Sequence, residues 1–65
     1  MTYLTDLHPG ETVRITYQNG KKFLAIFQSL MRDLNGGRFR IDSMNVSVLS
    51  AEVLAEWVKI ERIQQ

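Results

Sequence analysis

The segment Glu11–Met31, ETVRITYQNGKKFLAIFQSLM, constrains the fold more than any other part of the chain. In its first half the apolar residues Val13, Ile15 and Tyr17 alternate with polar ones, and a period of two is the signature of a half-buried β-strand. The dipeptide Asn19-Gly20 follows, and it favours a tight hairpin turn because both residues tolerate positive φ. A second apolar segment comes directly after it. The sequence therefore predicts a β-hairpin centred on this dipeptide.

A two-residue turn at Asn19-Gly20 would fix how the two strands pair, with Ile15 opposite Leu24 and Val13 opposite Ile26. The face expected to be buried then consists of Val13, Ile15, Tyr17, Leu24 and Ile26. The opposite face carries Thr12, Arg14, Thr16, Phe23, Ala25 and Phe27. The second strand is thus apolar on both faces, which we expect where a sheet coils into a small barrel and one strand serves both halves.

Paired glycines at Gly36-Gly37 predict the next turn, because glycine supplies the backbone freedom that tight turns need. This turn would place Arg40 opposite Asp33 on the outer side of the sheet. A β-bulge is expected near Ser29, where polar residues would otherwise fall on the buried face.

The last third of the chain predicts a short strand, one or two helical turns and a closing strand. Val46–Leu49 forms the fourth strand, and Ser50 is expected to cap a helix over Ala51–Trp57. Val53, Leu54 and Trp57 share one face of that helix at spacings of three and four. The fifth strand runs over Val58–Ile63, with Val58 and Ile60 pointing inward.

Together these elements predict an all-β fold, a small five-stranded antiparallel barrel with one short helical turn before the last strand. The chain is expected to form a single domain over residues 1–65, with 1–10 as a lead-in segment that Pro9-Gly10 separates from the first strand. Tyr3, Leu4 and Leu7 of the lead-in are expected to pack as a lid. The expected core contains nine apolar residues, Val13, Ile15, Leu24, Ile26, Phe39, Ile41, Val48, Val58 and Ile60.

The order of elements resembles that of small barrels of the Src-homology-3-like and Sm-like type. Over Gly10–Phe23, the pattern Gly-x-x-Val-x-Ile-x-Tyr-x-Asn-Gly-x-x-Phe is similar to the opening of the first Sm-like motif. Met44-Asn45, followed by Val46 and Leu49, is similar to a later part of that motif. The final Arg-Gly signature of Sm-like chains is missing, and the resemblance therefore implies the fold but not the function.

The residue types leave little room for catalysis. The chain has no cysteine and a single histidine, His8, which has no nucleophile or ligand partner in the sequence. We therefore expect a protein that is not an enzyme and that has no metal site and no cofactor. Met1–Gly10 carries no signal-peptide pattern and no segment is long and apolar enough to span a bilayer, so a cytoplasmic protein without membrane contact is expected.

Charge is distributed unevenly along the chain although its net value is only +1. Six basic residues lie between Arg14 and Arg40, against Asp33 alone, whereas the flanking segments are acidic. Basic and aromatic side chains together are typical of surfaces that bind single-stranded nucleic acid, because rings stack on bases and cations contact phosphates. The sequence therefore predicts a binding module for RNA or single-stranded DNA, with the site residues Arg14, Phe23, Phe27, Arg38 and Arg40.

A protein-interaction role uses the same segment differently. Phe23, Phe27 and Met31 would form an apolar anchor strip with arginines on its rim, as in many protein interfaces. Such a strip suits an adaptor that recognises an acidic protein partner, or a barrel that self-associates into a homo-oligomer. The sequence leaves both interpretations open.

Overall fold

A computed structural model describes residues 3–33 and 35–63 of the chain. In these described residues a 3-10 turn at Leu4–Asp6 precedes five strands and one short helix. The strands are β1 Thr12–Tyr17, β2 Lys22–Leu30, β3 Gly36–Ile41, β4 Met44–Leu49 and β5 Val58–Arg62, and the helix α1 is Ser50–Leu54. The predicted all-β class is confirmed, as are the number of strands and the helix before the last strand.

The strands form one antiparallel sheet in the order β4-β3-β2-β1-β5. Within the described part of the chain, β4 and β5 each pair with one neighbour, so the sheet is open where a closed barrel was expected. The helix α1 contacts both of these edge strands and β3. It therefore lies at the gap between β4 and β5, which a closed barrel would fill with a fifth ladder.

The turn between β1 and β2 differs from the predicted one by a single residue. The Tyr17 N–H donates to the Lys21 carbonyl oxygen at 2.8 Å, and the Gly20 N–H donates to the Tyr17 carbonyl oxygen at 2.9 Å. Gly20 has φ +87°, so the loop is a three-residue turn that ends on a left-handed glycine. The strands consequently pair Val13 with Ala25 and Ile15 with Phe23.

This one-residue shift inverts the two faces of β2, because side chains alternate across a strand with a period of two. Phe27 is 2% exposed and Ala25 is also buried, whereas Leu24 is 62% exposed and Ile26 45% exposed. The prediction that Leu24 and Ile26 belong to the core is therefore wrong. The prediction that Ala25 and Phe27 lie on the outer side is wrong for the same reason.

The other predicted core positions are confirmed, with Ile41 only partly buried. The Phe27 and Phe39 rings meet edge to face, with centroids 5.3 Å apart. Leu4 and Leu7 of the lead-in are buried against this cluster, and the exposed Tyr3 is not part of it. Among the residues that the structure describes, the buried apolar ones are Leu4, Leu7, Val13, Ile15, Ala25, Phe27, Phe39, Val48, Val53, Val58 and Ile60.

Gly36 and Gly37 begin β3 and do not form the turn that the sequence predicted. The chain reverses between Met31 and Gly36, where the Met31 N–H donates to the Gly36 carbonyl oxygen at 2.8 Å. A Cβ atom on Gly36 would collide with the Val48 carbonyl oxygen, and one on Gly37 would lie 3.1 Å from the Phe27 ring. Close packing thus requires glycine at position 36, and a larger residue at position 37 would crowd the Phe27 ring. The predicted bulge is confirmed, since the β2–β3 register shifts between Phe27 and Ser29.

The predicted pairing of Asp33 with Arg40 is also wrong, because it depended on the misplaced turn. The Asp33 carboxylate accepts hydrogen bonds from the backbone N–H and the side-chain amide of Asn35, at 3.2 and 3.0 Å. The Arg40 Nε donates to the Asp42 carbonyl oxygen at 3.2 Å.

The helix α1 is shorter than predicted and buries less. Ser50 is its first residue and not its cap, and the Glu52 carboxylate accepts a hydrogen bond from the Leu49 N–H at 2.9 Å. Val53 is buried, but Leu54 is 64% exposed and Trp57 56% exposed, because the helix ends at Leu54. Of the three residues expected to share one face of the helix, only Val53 is therefore buried. Among residues 3–33 and 35–63, no helix has the length and apolar content to cross a bilayer.

Candidate binding surface on the outer face

The outer face is the side of the sheet that points away from the core, and the strand pairing defines its residues. One row across the sheet contains Thr12, Ile26, Arg40 and Asn45, which pair with one another in succession. The next row contains Leu24, Arg14 and Glu61. A third row contains Lys22, Thr16 and Lys59, and Arg38 lies beyond the bulge between Ser29 and Ser47.

Leu24 and Ile26 form the apolar centre of the outer face. They are two residues apart on β2 and therefore point to the same side. A shallow groove of about 400 Å³ surrounds them, lined by Thr12, Leu24, Ala25, Ile26, Arg40 and Asp42. Two large aliphatic side chains that remain exposed next to each other at the middle of a sheet contribute little to the stability of the isolated domain.

Basic side chains surround this apolar centre. Arg14 approaches Glu61, with 3.8 Å between Nη1 and Oε2, but both side chains are largely exposed and such a pair is weak. Within the described residues, Arg38 and Arg40 have no carboxylate within 4.0 Å. The outer face and its groove carry five basic residues, Arg14, Lys22, Arg38, Arg40 and Lys59, against two acidic ones, Asp42 and Glu61.

The five predicted site residues do not share one face. Arg14, Arg38 and Arg40 lie together on the outer face, as expected. Phe27 is in the core, so its ring has no free surface for stacking and its predicted role as a binding residue is wrong. Phe23 pairs with Ile15 and therefore lies on the core side of the sheet, at its rim, where its exposed ring contacts Tyr17 edge to face.

The alternative strip of Phe23, Phe27 and Met31 is not a continuous exposed surface either. Phe27 is buried and Met31 is only partly exposed. Leu24 and Ile26 are exposed instead, although the sequence predicts that they belong to the core. The sequence was compatible with this register as well, because a three-residue turn that ends on a left-handed glycine is the next most common hairpin turn after the two-residue type.

An ion pair on the core side of the sheet ties β5 to the start of β1. The Arg62 Nε donates to Glu11 Oε2 at 2.5 Å and its Nη2 donates to Oε1 at 3.1 Å. The His8 N–H also donates to this carboxylate. The hydrogen bond from Arg62, followed by the one from His8, lowers the pKa of Glu11, and the same contact raises the pKa of Arg62.

In the part of the chain that the structure describes, no three acidic or histidine side chains come together in a way that could hold a metal ion. No protein-family model, no curated protein and no solved structure matches the chain. The function is therefore inferred from the geometry of the outer face.

Proposed function

We propose that this protein is a non-catalytic protein-binding module and that the outer face is its docking surface. The observation that carries the proposal is the exposure of Leu24 and Ile26 at the centre of a ring of basic side chains. Apolar anchors surrounded by a polar rim, with arginine enriched, are typical of protein interfaces. The domain measures 28 × 26 × 22 Å, so the area of one face is comparable to the roughly 800 Å² per partner of a standard interface.

The side chains of the outer face favour a protein over a nucleic acid. Single-stranded nucleic acid is held by base stacking on aromatic rings together with phosphate contacts. The arginines of the outer face could supply phosphate contacts, but Phe27 is buried and Phe23 lies on the other side of the sheet. Leu24 and Ile26 provide aliphatic surface, which suits apolar side chains of a polypeptide.

The charge of the face selects the partner chemistry. Among the described residues Arg38 and Arg40 have no carboxylate within 4.0 Å, and Arg14 has only the weak contact with Glu61. A partner segment that combines large apolar residues with Asp or Glu would complement both the centre and the rim. We therefore propose an acidic, partly apolar polypeptide as the partner.

For the fold we propose a relationship to the small barrels of the Sm-like and Src-homology-3-like type. What supports it is the sheet order β4-β3-β2-β1-β5 with a short helix before the last strand. This proposal concerns architecture only, because folds of this kind carry unrelated functions on different surfaces.

Selection from a random peptide library displayed on phage tests the docking surface. The parent protein is the bait, and the double variant Leu24→Ser with Ile26→Ser is used for counter-selection. We expect selected peptides to combine large apolar residues with Asp or Glu, and to bind the double variant at least about tenfold more weakly. Leu54→Ser is the matched control, because Leu54 is as exposed as Leu24 but lies on α1. Peptides that bind the parent and the double variant equally would contradict the proposal.

Fluorescence anisotropy with labelled RNA and DNA oligomers separates the two classes of partner. At low salt and about 50 μM protein we expect no change in anisotropy. Binding that falls steeply with salt, that is lost in Arg38→Ala with Arg40→Ala and that persists in the Leu24/Ile26 double variant would replace the protein partner by a nucleic acid. Arg32→Ala, which changes a basic residue in the β2–β3 loop, is the control for a simple loss of charge.

A further inference from the structure

A second depression lies at the other end of β1, between the β1–β2 turn and the segment that follows α1. It has a volume of about 470 Å³ and is lined by Tyr17, Gln18, Asn19, Glu52, Trp57 and Val58. The depression is separate from the outer face and shares no residue with its groove. We call it the aromatic pocket, after the rings of Tyr17 and Trp57.

The backbone holds the walls of the aromatic pocket in place. Tyr17 pairs with Val58 in the β1–β5 ladder. Its ring also packs edge to face on Phe23, with centroids 5.7 Å apart. The Trp57 N–H donates to the Glu52 carbonyl oxygen at 3.0 Å. The backbone on both sides of the pocket and the Tyr17 ring are thus held by contacts that do not involve a ligand.

Glu52 gives the aromatic pocket a negative charge. One of its carboxylate oxygens, Oε1, accepts a hydrogen bond from the Leu49 N–H at 2.9 Å. Within the described residues, no basic side chain approaches this carboxylate within 4.0 Å. Burial raises the pKa of Tyr17, and the charge of Glu52 raises it further.

We propose that Tyr17, Trp57 and Glu52 form a binding site for an organic cation, an ammonium or a guanidinium group. The faces of Tyr and Trp rings attract cations electrostatically, and a nearby carboxylate that has no basic partner adds to that attraction. An anion would be repelled by Glu52, and a neutral group would gain only the apolar contact. This site is independent of the docking surface proposed above, since neither needs the residues of the other.

Trp57 is the single tryptophan of the chain, so intrinsic fluorescence reports directly on the pocket. We would titrate the protein with choline at constant ionic strength, and in parallel with dimethylbutanol, in which a carbon replaces the quaternary nitrogen. The proposal predicts a saturable change in fluorescence with choline and a much weaker response to the neutral isostere. Equal responses to the two compounds would overturn it, and so would no response to any cation.

Glu52→Gln removes the charge and keeps the cap, because a glutamine at this position can accept the same hydrogen bond from Leu49. We expect this variant to bind choline about threefold more weakly, while Glu56→Gln, which does not line the pocket, binds as the parent does. Unchanged affinity in Glu52→Gln would overturn the role of the carboxylate. If this variant unfolds, the comparison of choline with its neutral isostere on the parent protein still tests whether the pocket prefers a cation.

Capped lysine and capped arginine distinguish the source of the cation. Saturation by either at lower concentration than choline identifies a basic side chain of a polypeptide, and the reverse order identifies a small free cation. A negative result in these titrations would not contradict the proposed docking surface, because that surface is tested with peptides and with Leu24 and Ile26 variants.

Discussion

The two faces of β2 carry side chains of similar hydrophobicity and have opposite surroundings. Ala25 and Phe27 point into the core, where the Phe27 ring meets the Phe39 ring. Leu24 and Ile26 point to solvent between rows of basic residues. Hydrophobicity alone therefore does not decide which face of this strand is buried. The length of the turn before it decides, since one residue more or less exchanges the faces.

The stability of the domain and the proposed binding of a partner should depend on different faces of β2. Side chains on the buried face of β2 hold the domain together, and their loss should unfold it. Side chains on the outer face contribute little to folding and are available for a partner. Substitutions on the buried face should therefore lower the stability of the domain, whereas substitutions on the outer face should mainly weaken partner binding.

The largest difference is expected between Phe27→Ala and its neighbour Ile26→Ala. Removal of a fully buried phenylalanine leaves a cavity and typically costs about 3–5 kcal/mol, enough to unfold much of so small a domain. Removal of a half-exposed isoleucine should cost less than about 1 kcal/mol. Urea denaturation of both variants measures the two values. Equal losses of stability, or a larger loss in Ile26→Ala, would mean that the faces of β2 are exchanged.

A smaller loss is expected from Gly37→Ala, which probes the packing around the Phe27 ring. The added methyl group would lie 3.1 Å from that ring and 3.3 Å from the Phe39 ring. Crowding of this kind typically costs about 1–3 kcal/mol. Thermal melting followed by circular dichroism gives the value. An unchanged melting temperature would contradict the expected crowding of residue 37 by the Phe27 and Phe39 rings.

The turn itself is tested by Gly20→Val, with Gly20→Asn as the matched control. Gly20 has φ +87°, a conformation that a β-branched residue resists and asparagine tolerates. We expect a loss of more than about 1 kcal/mol for valine and a clearly smaller loss for asparagine. Both are measured by denaturant unfolding. Identical stabilities for the two variants would show that residue 20 does not adopt the left-handed conformation.

The smallest effect is expected at the Glu11–Arg62 ion pair, and it should depend on pH. The pKa of Glu11 is lowered in the folded state, so its contribution to stability is present above the pKa of the unfolded chain and is lost as the pH falls through the folded value. The difference in melting temperature between the parent and Glu11→Gln should therefore shrink from about pH 7 to about pH 3. A constant difference over this range would show that the pair does not stabilise the fold.

Much of the architecture follows from local patterns in the sequence. The alternation around Val13 and Ile15 and the inward positions Val58 and Ile60 predict strands that the structure contains. The bulge near Ser29 is confirmed as well, although it was predicted from polar residues on the face of β2 that is exposed in the structure. These features depend on period and composition, which a single sequence reports well.

The site was predicted only in part, because it depends on tertiary packing. The arginines 14, 38 and 40 were assigned to one face correctly. Phe27 was not, since a two-residue and a three-residue turn at Gly20 are both compatible with the sequence. Gly36 and Gly37 resemble a turn, yet their role is to admit the Val48 backbone and the Phe27 ring, and the sequence does not indicate such long-range neighbours.

The central claim, that β2 presents Leu24 and Ile26 to solvent, is tested most directly by the pairing of Hα protons across β1 and β2. In the structure, Arg14 lies opposite Leu24 and Thr12 opposite Ile26. Hydrogen-bonded and non-hydrogen-bonded pairs alternate along an antiparallel ladder, and these two are non-hydrogen-bonded pairs. The two Cα atoms of each pair should therefore approach to about 4.5 Å. A two-dimensional NOE spectrum in D₂O should therefore show strong Hα–Hα cross-peaks for Arg14–Leu24 and Thr12–Ile26. Cross-peaks for Ile15–Leu24 and Val13–Ile26 in their place would contradict the account.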